Sequence, residues 1–210
     1  MSVIVAIKEN GKIYFGCDSQ VTTGGTRTTL KNFNNYKIWK VKGVENCLMG
    51  CVGALRDACV IRTMDDLITD YDVYKGNIDF DFVVNRIVPD IIKRLKDAKY
   101  LKEDGLFEFM DSSYLFSYKD SLYQIGGDGS VIEVEDYIAT GSGSKEAIGS
   151  LLSTEGQNPE ERIIKAIKAS AASDIYVDYP IILSNTDTTE FEVITENNEK
   201  KYLKTIKEGK

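Results

Sequence analysis

The sequence contains no histidine at any of its 210 positions. This absence excludes Ser-His-Asp and Cys-His catalytic groups, histidine general bases and histidine-based metal sites. If the chain is a hydrolase, its general base must therefore be a lysine, a carboxylate, a tyrosine or an α-amine. No other feature of the composition restricts the possible chemistry as strongly.

Long apolar runs and an excess of positive charge are also missing. No apolar run approaches the roughly 20 residues that cross a bilayer, and no secretory signal precedes the first predicted strand. The net charge of −7 argues against nucleic acid as a partner, since proteins that bind it usually present a basic face. A hydrophobic fraction of 42% and a charged fraction of 28% are globular values. We therefore expect a cytoplasmic protein with one domain over residues 1–196, a charged tail over 197–210, and no membrane partner.

The four cysteines are Cys17, Cys47, Cys51 and Cys59. Each lies among apolar neighbours in a predicted strand or helix. A zinc site is disfavoured because no histidine is available to complete it. We interpret the cysteines as buried, reduced thiols.

The N-terminal segment carries a hairpin signal. Residues 3–7 and 13–15 are short apolar runs rich in β-branched residues, and they flank Asn10-Gly11. Ser2 therefore lies at the mouth of a strand, and its small size favours removal of Met1. The new α-amine, with a reference pKa of about 7.7–8.0, would place a base beside the hydroxyl of the same residue. The alternative is an ordinary N-terminus without a catalytic role.

The order of predicted elements is strands, two helices, strands, two helices and strands. This order indicates an α+β fold with mostly antiparallel sheets. Residues 19–29, rich in Gly and Thr, are interpreted as a connecting loop. The first two helices are predicted over 54–71 and 80–101, and Pro89 permits a kink in the second. A meander of four strands is predicted over 113–118, 122–125, 131–134 and 137–140.

Several short motifs then occur in a recognisable order. An acid in Gly16-Cys17-Asp18 lies sixteen positions after Ser2, and Lys37 follows in a predicted strand. Further matches are the Gly-containing strand-to-helix segment 48–58, the segment 138–144 and the segment 171–177. In these motifs the chain resembles the proteasome β-type subunits of the N-terminal nucleophile hydrolases, and among them the bacterial HslV peptidases. The resemblance implies a four-layer αββα sandwich whose catalytic residue is the first of the mature chain.

The resemblance also implies a role for each matched residue. Ser2 Oγ would attack the substrate carbonyl while the Ser2 amine takes its proton, and Lys37, held protonated and oriented by Asp18, would favour the alkoxide. The remaining implied roles are an oxyanion-binding N–H at Gly50, hydrogen bonds around the amine from Ser142 and Asp174, and a substrate-pocket position at Leu48. Taken individually, the same residues are better explained as an ion pair, a close-packed glycine, a turn before a helix and a polar helix end. The resemblance depends on their joint order.

Assembly and ions are implied in the same way. Such subunits form a double ring around a chamber, fed with polypeptide by an AAA+ unfoldase ATPase, and need no cofactor for the chemistry. Carbonyls of Ser173, Tyr176 and Tyr179 could hold a structural monovalent or divalent cation. The chain departs from the family in its serine nucleophile, where threonine is usual, and Lys31 competes with Lys37. Two alternatives stay open: a catalytically inactive ring or scaffold subunit, and a small-amide N-terminal nucleophile hydrolase.

Overall fold

A computed structural model describes residues 2–29, 36–76, 78–98, 102–104, 107–188, 190–197 and 200–203. Two antiparallel sheets form its centre. The first sheet has six strands in the order β12-β1-β2-β13-β14-β15. Their bounds are β1 Val3–Glu9, β2 Lys12–Cys17, β12 Tyr137–Gly141, β13 Ile181–Asn185, β14 Phe191–Ile194 and β15 Lys200–Leu203.

The second sheet has five strands in the order β11-β10-β9-β6-β5. Their bounds are β5 Ile38–Lys40, β6 Cys47–Gly53, β9 Ser112–Tyr118, β10 Ser121–Ile125 and β11 Val131–Glu133. Two separate hairpins complete the described strands: β3 Gln20–Thr23 with β4 Thr26–Thr29, and β7 Lys102–Asp104 with β8 Phe107–Phe109.

Helices cover the outer faces of both sheets. The second sheet carries α1 Leu55–Ile61, α3 Phe80–Phe82 and α4 Val88–Asp97, and the first carries α5 Ser144–Ser153 and α6 Pro159–Ala171. A further helix, α2 Asp70–Lys75, lies between α1 and α3 in the chain and has no buried residue. Three buried apolar clusters fill the three interfaces: helices on the second sheet, sheet on sheet, and helices on the first sheet. The prediction of an α+β, four-layer αββα sandwich is confirmed. In the described part of the chain, no helix has both the length and the apolar character needed to cross a bilayer.

The helices of the second sheet differ from their predicted bounds. The predicted helix 54–71 is two helices, because α1 ends at Ile61 and Thr69 starts α2 with a capping box that includes Asp72. The predicted helix 80–101 ends at Asp97 in the structure. It contains a π-helical stretch, Val83–Ile87, directly before α4. Pro89 offers no N–H to the carbonyl four residues earlier, so the helix widens there.

Three strand assignments also differ from the sequence prediction. Residues 19–29 are largely the β3–β4 hairpin, whose Gly24-Gly25 turn has positive φ at both positions. The strand at 137–140 leaves the predicted meander and pairs with β1 in the other sheet. Within the predicted tail, residues 200–203 pair with β14 as an edge strand.

Candidate active site

Ser2 precedes the central strand β1 and is 95% buried, with 5% of its surface exposed. Its main-chain nitrogen donates to Ser142 Oγ at 3.1 Å, and its carbonyl accepts from the amide of Gly143 at 3.4 Å. Gly141, opposite Val3 in the ladder, has a φ of +106°, and a Cβ there would lie 2.1 Å from the Ser2 carbonyl oxygen. The end of β12 therefore fixes the backbone of Ser2. Met1 lies outside the described residues.

Asp18 and Lys37 form a buried ion pair beside Ser2. Lys37 Nζ lies 2.6 Å from Asp18 Oδ1, and their side chains are 7% and 0% exposed. The same carboxylate accepts from the amides of Val3 at 2.9 Å and Gln20 at 3.0 Å. Burial raises the pKa of the Asp18 carboxyl, and the Lys37 ammonium and these amides oppose that shift. The carboxylate thus orients the ammonium and links it to the backbone beside Ser2.

The predicted oxyanion donor Gly50 does not face this site. The amide of Cys51 donates to the carbonyl of Lys37 at 2.9 Å, so the odd-numbered residues of β6 face β5. Because amides alternate along a strand, the Gly50 N–H points to the other side, into the ladder with Leu115 on β9. Gly53 has the parity of Cys51, so its N–H points away from β9. We therefore correct the prediction and propose that Gly53, and not Gly50, supplies the oxyanion-binding N–H.

Gly53 also lines the cavity that Ser2 and Lys37 line, whereas Gly50 and Leu48 do not line it. Its φ is +123°, and a Cβ would lie 2.2 Å from the carbonyl oxygen of Asp111. The position thus requires glycine. The sequence prediction selected Gly50 within the segment 48–58. The position of Gly53 at the end of the predicted strand was the signal that could have identified it.

A pair of alanine substitutions separates the two glycines. In Gly53→Ala, strain of about 1–3 kcal/mol should shift the amide and lower kcat by roughly 10²-fold. In Gly50→Ala, the new Cβ meets Ile4 Cδ1 at 3.0 Å and Ile38 Cγ2 at 3.1 Å, so stability should fall while kcat should stay within about threefold. Steady-state kinetics and thermal unfolding measure both effects. Loss of kcat in Gly50→Ala alone would contradict the assignment.

Ser142 and Asp174 differ in how closely they reach Ser2. Ser142 Oγ contacts both the nitrogen and the carbonyl of Ser2. Asp174 lies one step further away: its amide donates to the Ser170 carbonyl, and Ser170 Oγ donates to the Gly143 carbonyl at 2.7 Å. Within the described residues, the buried Asp174 Oδ2 has no hydrogen-bond partner. A role of Asp174 around the amine stays a prediction.

The pocket position predicted for Leu48 is wrong, and Cys51 occupies the wall instead. Leu48 is fully buried in the cluster between the two sheets. The cavity, of about 220 Å³, is bounded by Val21, Cys51, Leu55 and Ala58, together with the β3 hairpin. Side chains alternate along β6, so the odd-numbered Cys51 faces the helical layer and reaches this cavity. The walls suit an apolar side chain of modest size.

Burial makes three of the four thiols unreactive. It raises the pKa of Cys17 and of Cys51 to about 12 and raises the pKa of Cys47 further. At pH 8 a thiol with such a pKa is about 10⁻⁴ ionised, and only the thiolate reacts. Titration with a thiol-specific chromogenic disulfide should therefore find one fast thiol, the partly exposed Cys59, in the native protein and four after denaturation. A fast second thiol would show that the cavity wall is open.

The loop after α6 contains the predicted cation position. Its hydrogen bonds use the carbonyls of four residues, Asp174, Ile175, Asp178 and Pro180. The interleaved carbonyls of Ser173, Tyr176 and Tyr179, the predicted set, receive no hydrogen bond from the described residues. These oxygens are suitable ligands for a hard cation. Lys31, the competitor of Lys37, lies outside the described residues.

The fold and the site define a class. A four-layer sandwich that fixes a serine at the start of its central strand, beside a buried lysine-aspartate pair, is an N-terminal nucleophile hydrolase. A sequence profile described as "Proteasome subunit" matches residues 2–176. The chain belongs to the proteasome subunit family, and it is a peptidase of the N-terminal nucleophile class.

Individual relatives agree with this assignment. The ATP-dependent protease subunit HslV of Borreliella burgdorferi (strain ZS7) is 28% identical over 190 residues, covering 89% of this chain and 96% of the relative. Among solved structures, "Thiobacillus denitrificans BPH in complex with Epoxomicin" superposes with a TM-score of 0.68 at 18% identity, covering 87% of this chain and 97% of that one. Eukaryotic HslV from Trypanosoma brucei gives 0.61 at 16% identity, with 87% and 98% covered. At these identities the solved structures bear on the fold alone.

Proposed function

We propose that the chain is a cytoplasmic serine-type endopeptidase whose nucleophile is Ser2 after removal of Met1. The observation that carries this proposal is the contact of Lys37 Nζ with Asp18 Oδ1 at 2.6 Å, because Lys37 lines the same cavity as Ser2. A buried ion pair that opens onto a cavity next to a serine is costly as a purely structural feature. In a catalytic site, such a pair supplies a fixed positive charge that stabilises the alkoxide of the serine.

The proposed reaction follows from these contacts. The α-amine of Ser2 lies next to Ser142 Oγ. It takes the proton of Ser2 Oγ as Ser2 Oγ bonds to the substrate carbonyl carbon. The N–H of Gly53 stabilises the resulting oxyanion, a contribution worth roughly 3–4 kcal/mol. The amine then returns the proton to the leaving nitrogen as the peptide bond breaks. Water hydrolyses the ester and regenerates Ser2.

An extended polypeptide fits between β3 and β6. The main-chain N–H of Gln20 donates to Asp18 Oδ2. The main-chain N–H and C=O groups of the even-numbered residues of β3 therefore point away from β4. The N–H and C=O of Thr22 therefore lie on the open edge of β3 that borders the cavity, across from Gly53. A substrate strand placed there would gain main-chain hydrogen bonds from both sides. This geometry favours peptides over small amides.

We further propose a homo-oligomeric double ring that receives unfolded chains from an AAA+ ATPase. The support is the kinship with relatives named ATP-dependent protease subunits. Sedimentation with and without a candidate ATPase tests the assembly.

Degradation of an unfolded polypeptide tests the activity itself. The purified chain should convert a reduced, alkylated protein into peptides, and Ser2→Ala should not. Cleavage that survives in Ser2→Ala would assign the activity elsewhere. Absence of cleavage with the ATPase present would favour the inactive ring subunit, and turnover of small amides alone would favour the small-amide hydrolase.

We also propose that the carbonyls of Ser173, Tyr176 and Tyr179 hold a structural cation. At ten times its dissociation constant, a bound ion stabilises the fold by about 1.4 kcal/mol. The unfolding temperature should therefore rise by about 3–5 °C in potassium, sodium or magnesium chloride relative to choline chloride of equal ionic strength. Equal unfolding temperatures in all four salts would contradict the site.

A further inference from the structure

One arginine connects the helix beside the cavity to the segment that carries Lys37. Arg62 directly follows α1, whose residues Leu55 and Ala58 line the cavity. Its Nη2 donates to the carbonyl of Tyr36, and its Nε donates to the carbonyl of Ala58 at 3.4 Å. The side chain is half-buried, and burial lowers the pKa of the guanidinium. Arg62 therefore joins the end of α1 to the residue before Lys37.

The same guanidinium lies over the ring of Trp39, with its central carbon 4.9 Å from the ring centroid. A cation in this position is attracted to the face of an indole. Trp39 is buried under the helices of the second sheet, whereas Ile38 is buried between the two sheets. Because side chains alternate along a strand, Lys37 shares the face of Trp39. Arg62 thus contacts the chain just before and just after Lys37.

Different partners hold the two peptide groups that flank the Cα of Lys37. The carbonyl of Lys37 accepts from the amide of Cys51 at 2.9 Å. The preceding peptide group, whose carbonyl belongs to Tyr36, receives the hydrogen bond of Arg62. This group lies before the β5–β6 ladder, which begins at Ile38. The direction in which the lysine side chain leaves the backbone therefore depends on Arg62.

We propose that Arg62 is a positioning residue that holds Lys37 in its place beside Ser2. The inference rests on the proposed peptidase function and adds to it a residue that acts through Lys37. Because a lysine has a flexible four-carbon stem, a small rotation of the peptide group before it displaces Nζ by a larger distance. A displacement of about 1 Å can lower a rate by roughly 10²-fold. Asp18 still holds Nζ, so we expect a smaller loss, of about 10–30-fold, without Arg62.

Steady-state kinetics of three Arg62 variants test the inference. Arg62→Met keeps an apolar stem over Trp39 but has no donor, and the amide nitrogen of Arg62→Gln ends where Nε now lies, short of the Tyr36 carbonyl. Both variants should lower kcat by about 10–30-fold and keep KM within about threefold. Arg62→Lys can still donate to the Tyr36 carbonyl, so its kcat should stay within about threefold of the wild-type value.

Arg162→Met is the matched control, because Arg162 makes the same two kinds of contact in the other helical layer. Its Nη2 donates to the carbonyl of Leu151 at 3.1 Å, and its guanidinium carbon lies 5.3 Å from the centroid of the Tyr137 ring. This variant should lower the unfolding temperature at least as much as Arg62→Met and keep kcat within about twofold. Trp39 is the one tryptophan of the sequence, so the emission of a buried indole in each variant verifies that this region is folded.

The outcomes separate this inference from the proposed function. A wild-type kcat in Arg62→Met and Arg62→Gln would overturn the inference and keep the peptidase. An equal loss of kcat in Arg162→Met would also overturn it, because the loss would then follow stability. So would an Arg62→Lys variant as slow as Arg62→Met, because the donor to Tyr36 would then be irrelevant. Absence of cleavage by the wild-type protein, together with a Ser2 that a peptide epoxyketone does not label, would overturn both.

Discussion

Lys37→Met should abolish most turnover and strongly destabilise the fold. The substitution removes the charge next to the nucleophile, and we expect kcat/KM to fall on the order of 10³-fold. It also leaves the fully buried Asp18 without its cation, which costs about 3–5 kcal/mol. Burial already raises the pKa of Asp18, and loss of Lys37 raises it further. The folded variant then binds a proton more tightly than the unfolded chain, so its stability should fall as pH rises above about 4. Denaturant unfolding at several pH values measures this.

Two control variants separate charge from packing. Asp18→Asn/Lys37→Met removes both charges, so most of the stability should return while activity stays lost. Lys40→Met removes a half-buried lysine three residues along, whose Nζ donates to the Asn185 carbonyl at 2.6 Å outside the cavity. Burial lowers the pKa of Lys40 to about 8, so this control also replaces a desolvated lysine. Lys40→Met should keep a kcat/KM close to that of the wild-type protein. An active double variant would contradict the role of Lys37.

Ser2→Ala should abolish activity without loss of stability. Removal of a nucleophile costs roughly 10⁴–10⁶-fold in kcat. The main-chain contacts of Ser2 with Ser142 and Gly143 do not depend on its hydroxyl, so the free energy of unfolding should change by less than about 1 kcal/mol. Alanine at position 2 is small enough to permit removal of Met1. Kinetics, unfolding and intact mass together test this expectation.

Ser2→Thr is the matched control for the nucleophile. Threonine keeps the hydroxyl and adds a methyl that limits the rotamers of χ1. We expect turnover to be retained or raised by a few-fold. An inactive Ser2→Thr variant of normal stability would indicate that the hydroxyl of residue 2 is not the attacking group.

Much of the fold was predictable because its signals are local. The Asn10-Gly11 turn between apolar runs identified the β1–β2 hairpin. The resemblance implied a position for Asp18 beside the N-terminal strand, and Asp18 Oδ1 accepts from the amide of Val3. The Gly24-Gly25 turn was an equally local signal for the β3–β4 hairpin, and it was missed because the flanking residues are polar. Strand partners were harder to predict, since β12 joins β1 across more than 120 residues of sequence.

The site was predictable in its residue types but not in all its positions. Ser142 Oγ lies 3.1 Å from the Ser2 nitrogen, Lys37 lines the same cavity as Ser2, and Asp18 pairs with Lys37. The catalytic roles that the resemblance implies for these residues stay predictions. Gly50 and Leu48 were placed in the site because the segment 48–58 was recognised without its strand register. In β6, alternation sends the Gly50 amide to β9 and the Leu48 side chain between the sheets. The partner strands on either side of β6 determine which amides face β5 and which face β9. A single sequence does not identify those partner strands.

The central claim is that residue 2 is a working N-terminal nucleophile. The most direct test is the intact mass of the purified protein before and after incubation with a peptide epoxyketone, a reagent that closes a ring on a hydroxyl and an α-amine of one residue. We predict a chain without Met1 that gains one probe mass, and no gain in Ser2→Ala. A chain that retains Met1 and stays unlabelled would contradict the claim.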